Sequence, residues 1–92
     1  MHAEVEPRQR MPIRLPDTDW VRRRIAEVAA QMSRGSSDHY LSLLGAVEPS
    51  LVPHDRDGTA WRLSAYCGSY AETGAIEQAV QSVQRIYPLV RA

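Results

Sequence analysis

The chain has 92 residues, of which 43% are hydrophobic, and all eleven of its basic residues are arginines, balanced to a formal net charge of zero. This length and composition suit one domain with one modest core, and the neutral balance disfavours binding of nucleic acid over the whole surface. The absence of lysine excludes Schiff-base catalysis and a phosphate loop that depends on lysine. Lysine, phenylalanine and asparagine are all missing; since their codons are AT-rich, we expect a GC-rich, bacterial source.

Cys67 is the single cysteine, so neither an intrachain disulfide nor a multi-thiolate zinc site is expected. The opening residues, MHAEVEPRQRMP, lack the apolar run of a secretory signal, and no stretch is long enough to span a bilayer. The sequence therefore predicts a cytoplasmic protein with no membrane contact, no metal and no cofactor.

The first sixteen residues are rich in charge and proline. We expect residues 1–10 to form a flexible arm and residues 11–92 to form a single compact domain. At the start of that domain, MPIRL (11–15) alternates apolar residues with proline and arginine. This pattern predicts a short edge strand, the position in a sheet that tolerates proline.

A helix is predicted from Asp17 to about Gly35. Its apolar residues recur every three or four positions and so share one face: Val21, Ile25, Val28 and Met32, with Trp20 and Ala29 beside them. Asp17 or Thr18 is suited to cap its amino end. Gly35 is suited to the left-handed residue that ends a helix.

A second helix is predicted after the RGSS turn, with Ser37 as its cap and with Gly45 and Pro49 limiting it to about three turns. Its apolar residues are Tyr40, Leu41, Leu43, Leu44 and Val47. The next segment, 50–67, predicts a β-hairpin, because DRDG supplies turn residues between two short strands. On the second strand, alternation places these residues on one side: Trp61, Leu63, Ala65 and Cys67.

A third helix is predicted before Pro88, which ends it. Its cap is either Ser69, which has the spacing of a capping box with Glu72, or Thr73 alone. Its apolar face consists of Ile76, Ala79, Val83 and Ile86, with Val80 and Tyr87 beside them. The predicted fold class is therefore α+β: short strand, helix, helix, hairpin and helix, with the helices packed on a small antiparallel sheet.

The arginine triplet Arg22, Arg23 and Arg24 is the most prominent candidate for binding. Three consecutive residues spread over roughly 200° of a helix, so the three guanidinium groups cannot all contact one phosphate. Glu27 is placed to pair with part of this charge. A solvated helix face is the plain interpretation, and a surface for an acidic protein or nucleic acid is the functional one.

The outward face of the third helix carries unusually many neutral amides. The candidate partner-binding residues on it are Gln78, Gln81, Gln84 and Arg85. A polar solvated surface is the plain interpretation, and contact with another chain is the alternative. Because so small a chain has difficulty burying two tryptophans and four tyrosines, a homodimer is a further hypothesis.

The candidates for chemistry are scattered along the chain. His54 and Asp55 are neighbours at the predicted turn, and His39 lies beside Asp38 in the first turn of the second helix. Cys67 precedes the amino end of the third helix, whose dipole favours a thiolate. None of these groups has the spacing of a metal site or a catalytic constellation, so no catalytic residue is predicted.

The predicted function is that of a non-enzymatic protein-binding or regulatory module that acts through its helix surfaces, such as a small inhibitor, adaptor or accessory protein. Two helices, a short turn and a hairpin are also the parts of a winged helix-turn-helix, which makes a DNA-binding regulator the alternative. The exposed residues predicted for its reading helix include Asp38 and no arginine, which disfavours base recognition. A small enzyme or redox protein that uses Cys67 is a third hypothesis.

Overall fold

The computed structural model describes residues 15–49 and 61–91. Its elements are helix α1 (Thr18–Ser33), helix α2 (Ser37–Leu43), strand β1 (Val47–Pro49), strand β2 (Trp61–Leu63) and helix α3 (Tyr70–Ile86). The order helix, helix, hairpin, helix and the α+β class are those predicted. The predicted arm at 1–10, the strand at 11–15 except its last residue, and the hairpin turn lie outside the described residues.

Helix α1 packs against both α2 and α3, and its buried face is therefore wider than the predicted stripe. Val21 and Ile25 are fully buried, as predicted, and three alanines are buried beside them: Ala26, Ala29 and Ala30. Small side chains on this face let the neighbouring helices approach closely. The prediction that Met32 belongs to the core is wrong, since 44% of it is exposed in the last turn of α1.

The two ends of α1 differ in how well they were predicted. Asp17 caps the amino end, where its Oδ1 accepts a hydrogen bond of 2.7 Å from the Trp20 backbone N–H. At the other end the left-handed residue is Arg34, with φ of 60°, so the prediction of Gly35 is wrong by one position. Glycine suits position 35 for another reason, which is its close contact with Tyr40. A Cβ on Gly35 would lie 3.1 Å from the Tyr40 ring.

Helix α2 is only seven residues long and ends sooner than predicted. Its cap is Ser36 rather than Ser37, and Leu44 already has extended backbone angles. In a continuing helix the Gly45 N–H would donate to the Leu41 carbonyl; here it donates to the Ala65 carbonyl at 2.6 Å. Val47, predicted on the helix, is consequently buried from strand β1.

Strands β1 and β2 form the predicted antiparallel hairpin, with Val47 opposite Leu63 and Pro49 opposite Trp61. Strand β1 (Val47–Pro49) thus lies just before the segment 50–67, in which both strands of the hairpin were predicted. Trp61 is buried and Leu63 is half-buried, as the alternation predicts. The same prediction is wrong for Ala65 and Cys67, which are exposed, because the strand ends at Leu63 and alternation no longer sets their direction.

Helix α3 begins with the predicted capping box of Ser69 and Glu72 and ends before Pro88. Its buried residues are Ile76, Ala79 and Val83. Ile86, predicted on the same face, is 66% exposed because it is the last residue of the helix.

Trp61 connects the hairpin to the end of α3. Its indole Nε1–H donates to the Tyr87 carbonyl at 2.7 Å, which satisfies one of the free carbonyls at the helix end. In return, the Gln84 side-chain amide donates to the Trp61 carbonyl at 3.1 Å. Gln84 therefore has a structural contact as well as a place on the amide-rich face.

Two glycine-to-alanine substitutions test this packing in opposite directions. A Cβ on Gly45 would lie 2.7 Å from the Ala65 carbonyl oxygen, so Gly45→Ala forces the hairpin away and lowers the free energy of unfolding by about 1–3 kcal/mol. Gly74 lies within α3 with nothing within 4 Å of such a Cβ, so Gly74→Ala raises it by about 0.5–1 kcal/mol.

Urea unfolding of both variants at low micromolar concentration provides the comparison. An unchanged midpoint for Gly45→Ala would contradict the close approach between the α2–β1 connection and the chain after β2.

Candidate interaction surfaces

Arg22 is directed into the fold rather than toward solvent. Its Nε donates to the Gly45 carbonyl at 2.9 Å, and one terminal nitrogen donates to the carbonyls of Leu41 and Leu44 at 2.9 and 3.1 Å. These acceptors lie at the carboxyl end of α2, where free carbonyls and the helix dipole both favour a cation. Arg22 thus joins α1 to the end of α2, and the structure separates it from the other two arginines.

Arg23 and Arg24 remain at the surface and form local ion pairs along α1. Arg23 contacts Asp19 at 3.0 Å, and Arg24 contacts Glu27 at 3.0 Å. The pairing of Arg24 with Glu27 is the one expected from the sequence. Exposed pairs of this kind contribute little to stability, so both guanidinium groups are available to a partner at small cost.

Trp20 lies beside these arginines and packs against Tyr87, with ring centroids 5.1 Å apart and planes at 74°. This edge-to-face contact still leaves 43% of Trp20 exposed. A cleft of about 330 Å³ is lined by both aromatic rings, Arg23, Arg24 and Glu27. We use the name Trp20 surface for the group Leu15, Trp20, Arg23, Arg24 and Tyr87. Arg24 and Tyr87 are half-buried, and the other three are exposed.

The Trp20 surface continues to where the two ends of the described chain meet. The Arg91 backbone N–H donates to the Pro16 carbonyl at 2.9 Å, and its side chain lies 3.6 Å from Asp17. Leu15, Trp20, Tyr87 and Arg91 share a second cleft of about 320 Å³ there. Trp20 and Tyr87 were predicted beside the apolar stripes of two helices, and only the packing of α1 against α3 brings them together.

The amide-rich face of α3 is divided by the structure. Gln78, Gln81 and Arg85 are exposed, whereas Gln84 is half-buried and bound to Trp61. On the same helix, the Glu77 carboxylate accepts a 2.8 Å hydrogen bond from the Tyr66 hydroxyl. That bond to a carboxylate raises the pKa of Tyr66 above its ordinary value.

His39 and Glu72 connect the first turns of α2 and α3. The imidazole Nε2 lies 2.7 Å from Oε2 of Glu72, while Oε1 accepts the Ser69 backbone N–H at 2.7 Å. The Ser69 bond, then the His39 contact, hold the pKa of Glu72 below its ordinary value of 4.5. Cys67 is exposed in the connection before α3, where its thiol lies 3.8 Å from the Leu43 carbonyl oxygen.

Among residues 15–49 and 61–91, no three side chains of His, Cys, Asp or Glu are placed to hold a metal ion. None of the three described helices combines the length and the apolar character that crossing a membrane requires. His54 and Asp55, singled out in the sequence, lie outside the described residues.

Substitution of Arg22 tests its structural role. Arg22→Ala removes three hydrogen bonds from a charged donor, and within the described part of the chain only the Leu41 carbonyl keeps a backbone donor, the Leu44 N–H. This lowers the free energy of unfolding by about 2–4 kcal/mol. Arg22→Lys loses less than Arg22→Ala because it keeps a cation at the helix end, but it does not restore full stability because one ammonium cannot span all three carbonyls. The matched control, Arg23→Ala, removes only an exposed pair and changes stability by about 0.5 kcal/mol or less. Chemical denaturation distinguishes them, and equal effects of the two alanine variants would contradict the assignment.

The lowered pKa of Glu72 predicts loss of stability in acid. Because the folded state favours the ionised carboxylate, its contribution is fully present above pH 4.5 and disappears as the pH falls through the lower pKa of the folded state. Glu72→Gln, which does not titrate, therefore shows a smaller decrease in urea midpoint from about pH 6 to 3. His39→Ala retains most of the decrease, because the Ser69 bond contributes more than His39. A Glu72→Gln profile parallel to that of the original chain would refute this origin.

Comparison with known proteins gives no relative from which a function can be transferred. The chain matches no protein-family model, no curated protein and no solved structure.

Proposed function

We propose that the chain is a non-enzymatic protein-binding module, acting in the cytoplasm as a regulatory or accessory protein, whose partner binds the Trp20 surface. The observation that supports this most is the exposure of Trp20 next to two surface arginines. Tryptophan, tyrosine and arginine are the residues most enriched where single side chains dominate the affinity of protein interfaces.

The exposed part of Trp20 gives such an interface its apolar centre. A tryptophan side chain buries 150–250 Å² when it is covered, so 43% exposure leaves about 100 Å² in contact with water. At about 25 cal/mol per Å², covering that area contributes about 2.5 kcal/mol to binding. The contact with Tyr87 holds the ring in place before binding, which reduces the entropy lost when a partner covers it.

The charges around Trp20 indicate the chemistry of the partner. Each surface arginine is paired with a carboxylate of its own helix, so the region is not a positive patch of the kind that binds nucleic acid. These pairs are exposed and weak, and a partner carboxylate replaces them at little cost. The partner is therefore a protein with an apolar side chain flanked by Asp or Glu.

Two variants of α1 with matched exposure test the proposal. Trp20 and Met32 are 43% and 44% exposed, near opposite ends of the same helix. Trp20→Ala should weaken binding to the partner captured from the source organism at least about 10-fold, which corresponds to about 1.4 kcal/mol. Met32→Ala should leave that affinity unchanged, and circular dichroism should show the same helix content for both variants.

The outcome that contradicts the proposal is capture of a partner whose affinity is unaffected by Trp20→Ala. Steeply salt-dependent binding to DNA would instead favour the winged-helix alternative. A function abolished by Cys67→Ala would favour the thiol-based one.

A further inference from the structure

The outer face of α3 carries an ordered row of polar side chains that the Trp20 surface does not use. Glu77, Gln81 and Arg85 are all exposed and follow one another at intervals of four residues. At 1.5 Å per residue, each lies about 6 Å from the next along the helix. The row thus has an acidic end, an amide in the middle and a basic end.

The charges of this row are complementary to those of the same row on a second helix that runs in the opposite direction. We propose that α3 binds α3 of a second copy of this chain, antiparallel and about a two-fold axis at Gln81. In this register each Glu77 faces Arg85 of the second copy, and the two Gln81 amides meet on the axis. The two-fold operation repeats each ion pair, as a closed symmetric dimer requires.

The two charged groups are prepared for this contact in different ways. The Tyr66 hydroxyl donates to Oε2 of Glu77, which fixes the carboxylate while Oε1 makes no hydrogen bond to a described residue. Arg85 forms no ion pair with any residue in 15–49 or 61–91. An opposite charge therefore pairs with each group without first breaking a described ion pair.

The register also matches the shape of the helix. The same two-fold axis places Gly74 beside the carboxyl end of α3 of the second copy, which is followed by Pro88 and the exposed Leu89. Gly74 has open space above it, and a groove of about 430 Å³ runs beside it, with Met32 and Tyr70 in its lining. The end of one α3 thus brings apolar atoms to a groove at the start of the other.

The expected contact is small. A helix of 17 residues is about 26 Å long, and one helix pair lies at the lower end of the areas buried in specific interfaces. The dimer is therefore weak, with a dissociation constant in the micromolar range. The contact between the two copies of α3 shares no residue with the Trp20 surface. Its test is therefore independent of the test of the proposed function.

Reversal of single charges tests both the contact and its register. Glu77→Arg places two arginines opposite each other, and Arg85→Glu places two carboxylates opposite each other. For each variant alone, the dissociation constant of the dimer should be at least about 10-fold higher than for the original chain. An equimolar mixture of the two should form a heterodimer, because every pair across the axis is then of opposite charge. The double variant Glu77→Arg/Arg85→Glu should dimerise like the original chain.

Sedimentation equilibrium up to about 0.5 mM, which is well above the expected micromolar dissociation constant, measures these states. Tyr66→Phe controls for the hydrogen bond that Glu77→Arg also removes, and Trp20→Ala should leave the association unchanged. A monomeric original chain at that concentration would overturn the proposal. A dimer insensitive to both charge reversals, or a mixture that fails to associate, would overturn it as well.

Discussion

The contact between Arg22 and three backbone carbonyls at the end of α2 is the interaction on which the arrangement depends. It binds the Leu41, Leu44 and Gly45 carbonyls just where the chain leaves the helix. With the Gly45 N–H bound across the chain to Ala65, the backbone turns into β1 rather than into another turn of α2. The direction of the hairpin, and hence the place of Trp61 at the end of α3, follows from that turn.

The same contact divides the arginine triplet into parts with different roles. Arg22 stabilises the fold, whereas Arg23 and Arg24 stay on the surface beside Trp20. The angular spread of consecutive helical residues explains the division, because residues about 100° apart meet different neighbours. The run of three arginines in the sequence is therefore one structural residue, Arg22, followed by two surface residues, Arg23 and Arg24.

The sequence predicts well what short-range rules determine. The helical spacing of Val21, Ile25, Ile76 and Val83 located the faces of α1 and α3 that form the core. The Asp17 cap and the Ser69–Glu72 box, each one of two predicted caps, mark two helix starts. The errors arise at the ends of elements, as for Met32 and Ile86, and where distant parts of the chain meet. The position of Val47 depends on the bend at Gly45, and that of Cys67 on the end of β2. The contact between Trp20 and Tyr87 requires that α1 packs on α3. No local pattern encodes any of these.

The most direct test of this account is exchange of the arginine side-chain Nε–H protons with water, followed by NMR spectroscopy. Arg22 should exchange at least about 10-fold more slowly than Arg23 or Arg24, because its Nε–H is bound to the Gly45 carbonyl in a half-buried position. Equal exchange rates for the three side chains would show that Arg22 is solvated, and would contradict its role in ending α2.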